Sequence, residues 1–183
     1  MTFKLNFNDV TIVKLTDEHK GVIESFSCGN EDEDLFLKND ALGNQNIGLS
    51  QTFLLFEEKN SAPVAYITLS IGSFKLDKDE AIEGIQIREK QYHIYSNNMP
   101  CLFIGKLATD KNESGRGAAS HLVNFAVSRA VEISKHIPVP FIALDAYSDK
   151  VDFYKKLNFR IAFTPQKDSS TITMYVYIKP SVV

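Results

Sequence analysis

One junction constrains this sequence more than any other feature. Cys101 to Thr109 (CLFIGKLAT) reads as a near-continuous apolar strand, and Ala118 to Lys135 reads as a helix whose residues Ala119, Leu122, Ala126, Ala130 and Ile133 recur at spacings of three and four. Between them stand Asp110-Lys111-Asn112-Glu113-Ser114-Gly115-Arg116-Gly117. Glycines let a backbone turn tightly and aim successive N–H groups outward, and a helix N-terminus adds partial positive charge. A strand that enters a helix in this way is an anion cradle suited to a pyrophosphate. On spacing alone, a plain flexible connection is an equal alternative.

Two other nucleotide-binding loops can be tested on the same residues. A phosphate loop of the NTPase type needs Lys-Ser or Lys-Thr after its last glycine, and here Ala118-Ala119 follow. A dinucleotide fingerprint would use Gly115 to Ser120, with Asp145 at the end of the next strand as ribose ligand. That fingerprint begins where its strand ends, whereas Asp110 to Ser114 separate Thr109 from Gly115.

The rest of the chain supplies the sheet. Val10 to Leu15 alternates as a half-buried strand, and Thr16 and Asp17 offer capping oxygens to a short helix over Glu18 to Phe26. Cys28-Gly29-Asn30 is a turn, and the acids Glu31 to Asp34 then suit the positive end of a helix better than a metal site. Thr52 to Glu57 and Val64 to Phe74, joined by a turn over Glu58 to Pro63, predict an antiparallel hairpin. Lys75 to Glu89 is charged and unassigned, and Gln91 to Pro100 reads as loop. Beyond the cradle come a buried strand, Pro140 to Ala146, a short helix, Asp149 to Leu157, ending at Asn158, and a last strand, Thr171 to Ile178. The expectation is a single α/β (α+β) domain over 1–183, with a mixed central sheet, an antiparallel N-terminal hairpin and helices on both faces.

Composition narrows the class. The chain has 183 residues, 44% of them hydrophobic and 23% charged, which suits one globular core rather than disorder. The absence of a long apolar run or a signal-type start predicts a cytoplasmic protein with no membrane partner. Cys28 and Cys101 are too few for a disulfide framework and too far apart for a zinc site, so no metal is expected. With 20 basic against 23 acidic residues, the net charge of −3 gives no global attraction for nucleic acid.

The string LATDKNESGRGAASHLVNFAV, followed by FIALDAYS and KVDFYKKLNF, resembles the GCN5-related N-acetyltransferases, whose cofactor motif is Arg or Gln, two residues, Gly, one residue, then Gly or Ala. FSCGNEDEDLFLKNDA, TFLLFEE and VAYITLS are similar to the opening of a subgroup that includes aminoacyl-tRNA-acetylating toxins. Asn112 departs from the motif's Arg or Gln, and Asn158 stands where Gly often precedes Phe159. The resemblance implies acetyl-CoA as cosubstrate. It implies main-chain bonds from Leu107, Ala108 and Thr109 to the pantetheine arm, and a pyrophosphate held at Asn112, Gly115, Arg116, Gly117, Ala118 and Ser120. It implies Tyr154 as the acid that protonates the departing thiolate.

No base is evident; Asp145, at the end of its strand, is the best carboxylate, and His121 reads as a solvated residue on a polar helix face. The expected acceptor is a primary amine of a small molecule or a protein, chosen over tRNA because tRNA binding draws on Lys and Arg neutralising phosphates. An aminoacyl-tRNA-acetylating toxin and a noncatalytic acyl-CoA-binding domain are the alternatives, and a homodimer is compatible with either. An α-amine, with a pKa near about 8, needs less help from a base than a lysine near about 10.

Overall fold

The computed structural model describes residues 4–76, 98–162 and 170–178. Lys75 to Glu89 and Gln91 to Pro100 therefore lie largely outside the described residues. The exceptions are Lys75, which ends a strand, Leu76, which follows it, and Asn98 to Pro100, which are strand rather than loop: β4 runs over Asn98–Thr109 and takes in Pro100 near its start. The other strands are β1 (Val10–Lys14), β2 (Gln51–Glu57), β3 (Ala65–Lys75), β5 (Phe141–Tyr147), β6 (Arg160–Ile161) and β7 (Thr171–Tyr177). The helices are α1 (Lys20–Ile23), α2 (Glu31–Leu35), α3 (Ala41–Asn46), α4 (Ala118–Ser134) and α5 (Val151–Lys156). The short strand β6 has no sequence signature, because two residues are too few to show a period.

The fold is a mixed α/β sheet with helices, and its residues cluster into two compact units. The first comprises Met1–Ser70 with Ile104–Ala126, the second Ile71–Phe103 with Val127–Val183. In the first, the strands lie in the order β1-β2-β3-β4. β1 pairs antiparallel with β2 (Ile12 opposite Leu55), and β2 with β3 (Phe53 opposite Ile67), as the hairpin pattern predicts. Strand alternation then serves both faces. Leu54 and Tyr66 meet Ile23, Phe26, Leu37 and Ala41 in a core beneath α1 to α3. Phe53, one residue away, points to α4, where its ring meets Phe125 edge-on at 4.8 Å. Asn30 caps α2 by accepting from the Asp32 N–H at 3.1 Å, so the acidic run is a capped helix start.

In the second unit the order is β3-β4-β5-β7-β6. β5 runs antiparallel to β7 over its whole length, Phe141 opposite Tyr177 and Tyr147 opposite Thr171, and β6 pairs antiparallel with β7. Its core gathers Phe74, Cys101, Phe141 and Tyr175, with the Phe74 and Phe141 rings edge-on at 5.5 Å. Both cysteines are free. Cys101 is the small buried hydrophobe its apolar run predicts, and burial pushes its thiol up to about 12.

Candidate active site

The cradle belongs to the first unit. Asp110 closes β4, and its own N–H donates to the Val64 carbonyl at 2.9 Å. Its carboxylate accepts from the Asn112 N–H at 2.9 Å and from the Ser27 N–H at 3.0 Å, which winds Lys111–Glu113 into a single 3-10 turn. Lys111 N–H returns a bond to the Ser27 carbonyl at 2.9 Å. The Asn112 main-chain N–H is thus committed inside the loop, and the Asn112 side chain is exposed.

Gly115 and Gly117 have φ of 78° and 97°, in the left-handed region where a side chain is strained. A Cβ on Gly117 would stand 3.5 Å from Cζ of Phe7. The Gly117 carbonyl accepts the first helical bond of α4, from His121 N–H at 3.1 Å. The N–H groups of Ala118, Ala119 and Ser120 therefore fall in the first turn, where a helix offers no acceptor. Ala118 is buried and Ser120 half-buried. A loop with two left-handed glycines, opening a helix of 17 residues, fits an anion of pyrophosphate size.

The Arg116 side chain behaves differently from a free phosphate ligand. Its guanidinium grips Glu57 through two bonds of 2.9 and 2.8 Å, and also bonds the Glu113 carboxylate. These bonds hold the Glu57 carboxyl below its ordinary value. Only 18% of the Arg116 side chain is exposed. Its carbonyl accepts from Leu5 N–H at 3.0 Å, so the N-terminal segment is laid against the loop. His121 is half-buried and stacks on Phe7 with ring centroids 4.5 Å apart, and burial lowers its pKa. That corrects the expectation of a solvated histidine. Leu107, Ala108 and Thr109 follow one another at the end of β4, with Ala108 alone buried, in the core under α1 to α3.

Tyr154 and Asp145 belong to the second unit. α5 ends in a Schellman motif: Phe159 N–H reaches the Tyr154 carbonyl at 3.0 Å and Asn158 N–H the Lys155 carbonyl at 3.0 Å. Asn158, at φ 66°, takes the left-handed position that its sequence context predicts. The motif fixes the backbone of Tyr154, whose ring is 9% exposed and lies edge-on to Phe153 and Phe159 at 5.0 and 5.6 Å. Asp145 is exposed, and accepts the hydroxyl of its cross-strand partner Thr173 at 2.6 Å.

Sequence reasoning missed the residues that brace the loop, Glu57, Phe7 and Ser27, because each acts across a long stretch of chain. It also missed a part-buried pair, Glu33 and Lys106, 3.1 Å apart. Sequence reasoning also gave Asp110 no role, although an Asp that opens a turn by accepting from the N–H two residues on is a recognisable signal. Among the described residues, no group of three or more metal-ligating side chains lies together, and no helix is long and apolar enough to cross a membrane.

No family model matches the chain. It is 29% identical over 143 residues to a tRNA-acetylating toxin of Mycobacterium tuberculosis, a match covering 78% of this chain and 80% of the relative. Among solved structures, AtaT complexed with acetyl-methionyl-tRNAfMet superposes with a TM-score of 0.73 at 24% identity, over 92% of this chain and 95% of that one. AtaTR bound with acetyl-CoA gives 0.71 at 23%, over 93% and 94%. A tyrosine-to-phenylalanine mutant of KacT gives 0.73 at 23%, over 92% and 95%. The fold is the one that the resemblance to GCN5-related N-acetyltransferases implies, and the sequence is similar to the toxin subgroup of that family.

Proposed function

We propose that the chain, as one domain over 1–183, transfers the acetyl group of acetyl-CoA to the α-amino group of an aminoacyl-tRNA. The observation that carries this reading is the likeness to a tRNA-acetylating toxin over 78% of the chain. It reverses the order of acceptors that the net charge of −3 suggested. Affinity for tRNA depends on where Lys and Arg are clustered, and a sum over the whole chain does not measure that.

Acetyl-CoA supplies an activated acyl carbon and a thiolate leaving group. The chain's residues do the rest. The N–H groups of Gly115, Arg116, Gly117 and Ala118 hold the pyrophosphate, Ser120 adds its hydroxyl, and Asn112 borders the loop. Arg116 contributes through its main chain while its guanidinium braces the loop against Glu57 and Glu113. Main-chain groups of Leu107 to Thr109 orient the pantetheine arm as an added strand would. Tyr154 gives its phenolic proton to the departing sulfur, and the amine's proton passes to solvent or to a carboxylate. Asp145 is exposed, with one oxygen engaged by Thr173, and an α-amine that deprotonates readily near neutrality needs no dedicated base.

The test offers the purified protein labelled acetyl-CoA with charged tRNA, a polyamine and amino-sugar panel, and a protein extract, at two salt concentrations. Labelled aminoacyl-tRNA, falling as salt rises, is the expected result. Label confined to the amine panel or to protein overturns the tRNA reading and restores the small-amine or protein acceptor. Binding of acetyl-CoA with no transfer to any pool leaves a ligand-binding domain.

A further inference from the structure

The first unit carries a charged cluster that the reaction above leaves without a role. Lys106 stands on the same side of β4 as Ala108, two residues on, and Ala108 lies in the core beneath α1 to α3. The Lys106 ammonium is 3.1 Å from Glu33 Oε1 and 5.5 Å from the centroid of the Phe36 ring. The fully buried Tyr66 donates its hydroxyl to the Glu33 carbonyl at 2.8 Å and lies 3.2 Å from Glu33 Oε2. The side chains of Lys106 and Glu33 are 27% and 11% exposed, so the pair sits at the edge of the core and not on the surface.

Stability does not explain the cluster. Removing two charges from water offsets most of what their attraction returns, and apolar residues of similar volume serve as well or better. Helix capping does not explain it either. Asn30 caps α2, and Glu31 and Asp32 already place negative charge in its first turn, at its solvent side. Glu33 alone of that run is buried, against Tyr66 and Lys106.

Its position in the strand suggests a use. A pyrophosphate at Gly115 to Ala118 would send the pantetheine back along Thr109, Ala108 and Leu107, with its thioester end toward Lys106. An acceptor amine must approach that end. We propose that Glu33 is the acceptor-recognition residue, its carboxylate accepting hydrogen bonds from the acceptor's amino group, with Lys106 and Tyr66 as positioning residues that fix its two oxygens. This assignment rests on the acyltransferase reading. A carboxylate favours a cationic or N–H-rich acceptor through charge-assisted bonds, and it disfavours an acidic one.

The experiment measures steady-state acetylation of charged tRNA by the wild type, Glu33→Gln and Lys106→Met, with acetyl-CoA affinity from calorimetry and the melting midpoint beside it. Glu33→Gln should raise KM for the charged tRNA by at least about tenfold, with kcat falling less and acetyl-CoA affinity and melting midpoint unchanged. Lys106→Met should shift KM in the same direction. An unchanged KM in Glu33→Gln overturns the assignment. So does a KM rise matched by equal loss of acetyl-CoA affinity, which marks a structural role. Should Glu33→Gln not fold, Tyr66→Phe keeps the carboxylate and removes the hydroxyl that bonds the Glu33 carbonyl and lies against its Oε2. The same KM rise is then expected, and an unchanged KM overturns the assignment. A wild-type chain that binds no acetyl-CoA, or leaves charged tRNA unlabelled, defeats the acyltransferase reading itself.

Discussion

The anion cradle and the Tyr154 segment are held in opposite ways. The cradle is braced by polar ties from distant parts of the chain: Arg116 to Glu57, Asp110 to Ser27, and Leu5 to the Arg116 carbonyl. Tyr154 takes part of its order from immediate neighbours, through the Schellman turn at Asn158 and the rings of Phe153 and Phe159. A loop made of two left-handed glycines has little stiffness of its own, because glycine loses more conformational freedom on ordering than other residues. Long-range clamps supply it. A short helix closed by its own cap carries part of its order within itself. The comparison predicts that cofactor binding answers to residues scattered across the first unit, whereas the chemical step answers to one hydroxyl.

The largest effect should come from Gly117→Val. At φ 97°, with Phe7 Cζ 3.5 Å from the new Cβ, a β-branched residue distorts the loop and abolishes acetyl-CoA binding in calorimetry. Unchanged affinity would move the cradle elsewhere. Next, Tyr154→Phe should lower kcat by about 10²–10⁴-fold while leaving acetyl-CoA affinity intact, because the ring's packing survives and only the proton donor is lost. A loss below about tenfold would make Tyr154 a packing aromatic.

A smaller effect tests the clamp. Hydrogen bonds from Arg116 hold the Glu57 carboxyl below its usual 4.5, so their contribution to stability is present above that value and fades as pH falls through the lower folded-state value. Wild-type melting midpoints should therefore decline on acidification below about pH 4.5, where protonation of Glu57 is linked to unfolding. Arg116→Met should flatten that decline and weaken acetyl-CoA binding through a looser loop. An unaltered pH profile in thermal melts would mean that the pair does not brace the loop. The smallest effect is reserved for Asp145→Asn, which should change kcat by no more than about threefold, since an exposed cross-strand bond is all that is lost. A hundredfold fall would restore Asp145 as the base.

What could be read from the sequence follows the same division. The strand from Cys101, the helix from Ala118, the hairpin and the left-handed Asn158 were legible because each is encoded within a few residues by period, glycine or cap. The reading missed β6, and it took Asn98 to Pro100 for loop because a proline near the start of a strand gives the same signal as a turn. Glu57 and Arg116 lie too far apart in the chain for their pairing to leave a local trace. The same holds for Glu33, whose run of acids reads as a capped helix start and hides its one buried member. His121 was misjudged because Phe7, the ring it stacks on, comes from the far end of the unit's sequence.

Cys28, whose N–H donates to Asp34 at 2.8 Å, lies beside Glu33, on the side of the unit where the thioester end of the substrate is proposed to lie. A thiolate there could capture the acetyl group by exchange and acylate the protein itself. Burial, with Asp34 adding to it, pushes the Cys28 thiol up to about 11. At neutral pH the thiolate fraction is then only about one part in ten thousand. The protein should therefore tolerate its own acyl donor for long incubations without accumulating a hydroxylamine-sensitive adduct.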